Sequence, residues 1–189
     1  MSSSIGIYAS QISGHLVTNN YSSIQTVTVG SGGASSITFS SIPSTYTHLQ
    51  IRGLGHSANT GSVINGLTVQ ANGDTSANYS WHYMLNYSGS LSSGATANAS
   101  SMGLGYINLD YNIYKNSSII IDVIDYANVN KYKTFKSLVG YDFNNENSYK
   151  GAMAVCSSNW RSTSAITSLT LTTVSGFTQY STFALYGIK

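Results

Sequence analysis

Six carboxylates stand in the chain: Asp74, Asp110, Asp122, Asp125, Asp142 and Glu146. A glycosidase needs two of them roughly 5 to 9.5 Å apart, one to protonate the leaving oxygen and one to attack or to activate water. Asp122 and Asp125 are three apart on a predicted strand and point to opposite faces, so they form no local pair. His15, His48, His56 and His82 lie far apart, without the H-x-H or H-E-x-x-H spacing of a zinc site. Serine is abundant, but no G-x-S-x-G elbow presents one as a nucleophile. Gly30-Ser31-Gly32-Gly33 resembles a phosphate loop only in composition, because a strand comes after it where a phosphate loop opens a helix. Cys156 is the only cysteine, which excludes an intrachain disulfide and fits folding in a reducing cytosol. Its neighbours Ala154, Val155 and Ser157 supply no cation to activate the thiol, so a buried inert thiol is expected. Catalytic residues, cofactors and metal ligands are therefore all expected to be none.

Aromatic recognition is the chemistry left. The chain holds 15 tyrosines and two tryptophans. Tyr106, Tyr111, Tyr114, Tyr126, Tyr132, Tyr141 and Tyr149 populate the second half, most of them expected to fill a core. Trp160 and Arg161 fall outside the alternating pattern, in a predicted loop. An aromatic ring beside a guanidinium can stack on a sugar while donating to its hydroxyls, which makes this pair the candidate glycan contact. The opposing expectation is a buried Trp160 that only packs.

The surroundings of these residues are nearly uncharged. Eight basic and six acidic residues make up 7% of the 189 positions, where about 25% is usual. Acid–base chemistry, metal chelation and phosphate binding all draw on charge. A neutral, hydroxyl-rich, aromatic surface fits an extracellular or particle-surface β protein better than a metabolic enzyme. The densest basic group, Lys131, Lys133 and Lys136, is too small for a nucleic-acid footprint and reads as a solvated β-edge. Residues 1–20 carry no basic segment followed by an apolar run, so no secretory signal is expected. No apolar stretch approaches the roughly 20 residues of a membrane span.

Period-two alternation of apolar residues with Ser, Thr and Gln recurs along the chain with turn signals between, the pattern of half-buried antiparallel strands. About eleven strands are expected. Residues 26–29 and 37–39 read as a hairpin around Gly30–Gly33, and Pro43 punctuates the connection to the third strand. Strands at 49–52 and 67–70 come next, the latter ended by a turn at Asn72-Gly73. Trp81, Tyr83, Leu85 and Tyr87 share one face of a long strand. Residues 88–101, low in complexity, read as a loop. Strands are then expected at 104–109, 117–125, 134–143, 151–157, 166–174 and 182–188. Many short strands with almost no helix predict an all-β fold, an antiparallel two-sheet sandwich of jelly-roll type, at residues 24–189.

Residues 1–23 form a separate segment. Ile5, Tyr8, Ile12 and Leu16 fall at spacings of three and four, apolar but outside the strand pattern, so this arm should dock on the domain, a sister subunit or another protein.

Four stretches resemble a family of small bacteriophage virion proteins of aquatic phages, described as tail-fibre-like or structural. They are GIYASQISGHL at 6–16, VGSGGASSITFSSIPSTYTHLQIRG at 29–53, NGDTSANYSWHYM at 72–84 and SLTLTTVSGFTQYSTFALYGIK at 168–189. The resemblance implies a homotrimeric β-sandwich at the virion surface, made in the host cytoplasm and anchored to other virion proteins by its N-terminal arm. It transfers no catalytic residue. It implies either a tail or fibre knob that binds a host glycan or a capsid decoration protein; outside the resemblance, a carbohydrate-binding module from a cell is the third reading. Neither nucleic-acid binding nor membrane insertion is expected.

Overall fold

A computed structural model describes residues 20–60, 65–108, 116–143 and 150–189. The arm residues Ile5, Tyr8, Ile12 and Leu16 lie outside these described residues. Twelve strands succeed one another: β1 (Tyr21–Thr28), β2 (Ala34–Phe39), β3 (His48–Gly55), β4 (Asn65–Ala71), β5 (Tyr79–Tyr87), β6 (Ser90–Ala99), β7 (Met102–Ile107), β8 (Ser117–Ile124), β9 (Lys133–Asp142), β10 (Gly151–Trp160), β11 (Leu169–Phe177) and β12 (Thr182–Ile188). They form an eight-stranded sheet, β1-β12-β3-β8-β9-β10-β5-β6, packed on a four-stranded sheet, β2-β11-β4-β7.

Four nested antiparallel pairs, β1 with β12, β2 with β11, β3 with β8 and β4 with β7, alternate between the two sheets. That is a long hairpin rolled on itself, a jelly roll, as the alternation predicted. Two further hairpins interrupt it. β5–β6 lies between β4 and β7, and β9–β10 lies between β8 and β11; both add to the β8 edge of the larger sheet. The larger sheet is thereby twice as wide as its partner and overhangs it.

Alternation builds the core. Ile37, Phe39, Leu67, Val69, Leu169 and Leu171 of the small sheet meet Leu49, Ile51, Ile119, Ile121, Phe183 and Leu185 of the large one, all buried. Each such side chain contributes roughly 1.5 to 3 kcal/mol. At the edge of the small sheet, β7 lies directly on the inner face of the overhang. The hydroxyls of Ser137 on β9 and Ser158 on β10 donate to the carbonyls of Leu104 and Gly103, at 2.6 and 2.8 Å. These bonds satisfy polar groups that an edge strand would otherwise bury unpaired. Gly105 adopts φ +121° there, and a Cβ would stand 3.1 Å from Val139.

Three expectations are corrected. Residues 88–101 are not a loop: Ser88 and Gly89, at φ 48° and 90°, form a two-residue hairpin turn, and β6 runs beside β5 from Ser90 to Ala99. Left-handed φ at both positions matches the twist of the flanking strands. The edge of β5 recruits this Ser/Ala/Thr-rich segment despite its weak strand propensity, and Gly94 leaves room for Tyr83, whose ring would stand 2.7 Å from a Cβ. Secondly, β1 and β2 do not form a hairpin; the Gly30–Gly33 turn passes the chain from one sheet to the other. Thirdly, β1 starts at Tyr21, so the sandwich begins inside the segment assigned to the arm.

Candidate interaction surfaces

Trp160 is the last residue of β10 and is 3% exposed. Its ring stacks on Tyr79 with centroids 6.4 Å apart, and its Nε1 donates to Asp74 Oδ2 at 2.8 Å. The expected loop position and the glycan contact of Trp160 are therefore corrected, because a ring enclosed by the core offers no face to a sugar. Arg161 is exposed, but its guanidinium donates to Ala77 O and to Asn98 Oδ1 and so ties β10 to the β6 edge. Hydrogen bonds from Asn78 and Trp160 hold the Asp74 carboxyl down at about 2.

The other candidate groups also have structural surroundings. Asp122 and Asp142 lie on different strands, Asp74 and Asp125 in connections, while Asp110 and Glu146 fall outside the described residues. His48 Nδ1 lies 3.0 Å from the Asp125 backbone N–H and 3.4 Å from the Asp125 carboxylate. His56 is buried with Nδ1 2.7 Å from Thr178 Oγ1, and His82 stands exposed on β5. Among the described residues no three His, Cys, Asp or Glu side chains gather where a metal ion could sit. Cys156 is buried, and burial pushes its thiol up, as an inert thiol requires.

The lysine group is not a solvated edge. β9 is an interior strand, and Lys133 is fully buried with its ammonium donating to the carbonyls of Asn128, Lys131 and Thr163 at 2.5, 2.9 and 3.1 Å. Lys131 pairs with Asp125, and only Lys136 points out from the large sheet. Of the named tyrosines, Tyr126 and Tyr141 are buried, Tyr106 is half-buried and Tyr132 is exposed. Tyr111, Tyr114 and Tyr149 lie outside the described residues.

Two surfaces remain that packing alone does not account for. One is the outer face of the large sheet. Ile120, Leu138, Val155 and Met84 stand directly opposite one another across β8, β9, β10 and β5. Leu138, Val155 and Met84 are 46%, 41% and 58% exposed. A parallel row adds Leu54 on β3, Met153 on β10 and Leu91 on β6, with Ser118 and Gly140 leaving a depression of about 220 Å³ between them. Polar side chains border the apolar rows. Arg52 Nε donates to Gln50 Oε1 and Gln50 Nε2 to Asp122 Oδ1, both at 2.6 Å, and the Arg52 guanidinium lies 5.1 Å from the centre of the Tyr21 ring. Asp122 faces Lys136 in register on β9.

The second surface is a cleft where the overhang meets the small sheet. Trp81 and Tyr83 share the inner face of β5 with ring centroids 5.5 Å apart, and Tyr106 of β7 meets Tyr83 edge-on at 6.2 Å. Gly66, Leu67, Thr68, Gly103, Gly105 and Cys156 complete a lining that encloses about 70 Å³. All three rings stay partly exposed, whereas Tyr79 and Leu85 on the same face of β5 are buried.

The sequence signals for both surfaces lay in the alternation. Ser118–Ile124 adds Ile120 and Ile124 on the outward parity to Ile119, Ile121 and Val123 on the inward one, more than a one-sided strand needs, and the Trp81-x-Tyr83 pair places two large rings on one face. No protein-family model, curated protein or solved structure matches this chain.

Proposed function

We propose that this chain is a non-enzymatic structural protein of a bacteriophage virion surface, a host-attachment knob that assembles with copies of itself and is anchored by its N-terminal arm. The resemblance of four segments to small virion proteins supplies the setting. The observation that carries the reading is the outward apolar row of half-buried Ile120 and exposed Leu138, Val155 and Met84, four side chains in contact range on adjacent strands. Apolar patches of that continuity mark surfaces that become covered. From β3 to β6 the face spans six strands. They are eight to ten residues long; spaced about 4.8 Å apart with a rise of about 3.3 Å per residue, they present roughly 850 Å². A standard interface buries roughly 800 Å² on each partner. Its border is also self-complementary: a two-fold or ring arrangement can set Asp122 of one copy against Lys136 of the next.

Leu138→Asp tests this reading, since Leu138 is 46% exposed and contributes nothing to the core. Light scattering of the purified full-length protein should give an oligomer for the wild type and a monomer of unchanged melting temperature for the variant. The variant should also fail to enter particles. A wild-type monomer that is absent from purified virions rejects the proposal. Counting copies per virion separates an attachment knob, present in few copies, from a decoration protein present at every capsomer.

A further inference from the structure

We infer that the Trp81–Tyr83–Tyr106 cleft binds a neutral saccharide. The inference rests on the reading of the chain as a host-attachment knob and gives that knob its receptor chemistry and its site. The overhang creates the cleft: β5 and β6 extend past β7, so the inner face of β5 is covered by core at Tyr79 and left open at Trp81 and Tyr83.

Glycines shape it. A Cβ at Gly103 would stand 2.8 Å from the Trp81 indole, so only glycine allows the ring to lie on the β7 backbone. At Gly66, on the opposite lip, a Cβ would meet nothing within 4 Å. The space there is open and unfilled.

The lining selects the ligand. No charged side chain contributes to it, which disfavours an anionic or cationic ligand that would be desolvated without a partner. Three aromatic rings offer flat apolar contact, and Tyr83 and Tyr106 bring phenol hydroxyls to the lining, while the Thr68 hydroxyl is paired with Thr172 Oγ1 at 2.8 Å. A saccharide presents that combination, with C–H faces flanked by hydroxyls. At about 70 Å³ the cleft is far below the roughly 300 Å³ at which pockets for drug-sized molecules begin. It therefore seats part of one sugar unit, and the remaining units lie along the overhang, where Ser90, Ser92 and Thr96 of β6 oppose Tyr87, Leu85 and Trp81.

The test uses the full-length protein on an array of neutral and acidic glycans, followed by calorimetric titration of the strongest neutral binder. Trp81→Ala and Gly66→Leu should each weaken that binding at least tenfold. Gly66→Leu places its side chain in open space, so its melting temperature should match the wild type and separate loss of binding from loss of folding. An array with no binder, binding confined to acidic glycans, or affinity unchanged in Gly66→Leu overturns the inference. So does a proline-rich peptide that binds with the same dependence on both variants. Soluble glycan binding is independent of particle incorporation, so failure here and failure of the knob reading are told apart.

Discussion

Trp160 and Asp74 are 86 residues apart in sequence, yet the indole Nε1 of one donates to the carboxylate of the other at 2.8 Å. The same carboxylate accepts from Asn78 Nδ2 and from the Ser76 backbone N–H, both at 2.9 Å. The connection after β4 is thereby pinned to the end of β10. What reads in sequence as an exposed aromatic beside an arginine is a clasp between the connection after β4 and the end of strand β10.

The clasp makes stability depend on acid. Asn78 and Trp160 lower the Asp74 carboxyl from 3.8 to about 2 in the folded protein. A depressed carboxyl contributes stability that is complete above its unfolded value and is lost as pH falls through its folded one. Melting temperature should accordingly drop between about pH 4 and pH 2. Asp74→Asn should lower the neutral-pH melting temperature and flatten that acid limb. A variant whose acid limb superimposes on the wild type would show that Asp74 has no such role.

Trp160→Ala should cost roughly 3 to 5 kcal/mol, the range for emptying the site of a buried large aromatic. Trp160→Phe keeps most of the apolar volume but removes the donor to Asp74, and should cost roughly 1 to 3 kcal/mol. Urea unfolding of both variants measures the two costs. Glycan binding by folded Trp160→Phe should match the wild type, which distinguishes this ring from Trp81.

Deleting residues 1–19 should leave a folded sandwich, because every described strand begins at Tyr21 or later. Circular dichroism should retain its β signature. Incorporation into particles should be lost if Ile5, Tyr8, Ile12 and Leu16 secure the anchor; truncated protein recovered in virions at wild-type level would remove the arm from assembly.

Local pattern revealed the features that depend on local pattern. The face shared by Trp81, Tyr83, Leu85 and Tyr87 and the span of β12 were legible because side-chain direction alternates strictly along a strand. Pairing was not legible: Thr28 meets Thr182 across β1 and β12, and no feature of residues 26–39 says that β1 and β2 part into different sheets. β6 was hidden because its Ser/Gly/Ala composition carries little propensity, and its strand form comes from the β5 edge beside it. Lys133 looked like a surface charge because three carbonyls from two separate loops, which converge only in the fold, satisfy its ammonium. The aromatic cleft required knowing that β7 ends the small sheet beneath β5, a fact of topology rather than of any residue.

The β1–β12 pairing closes the roll by bringing the ends of the described domain together, with the Lys189 N–H donating to Asn20 O at 3.2 Å. β6 lies at the opposite edge, seven strand spacings away. At about 4.8 Å each, those spacings add up to roughly 34 Å. The large sheet thus acts as a rigid outrigger. Whatever holds the chain near Asn20 holds the Ser88–Gly89 turn at a fixed reach, and a foreign peptide spliced into that turn would be displayed at the far end of the arm's own support.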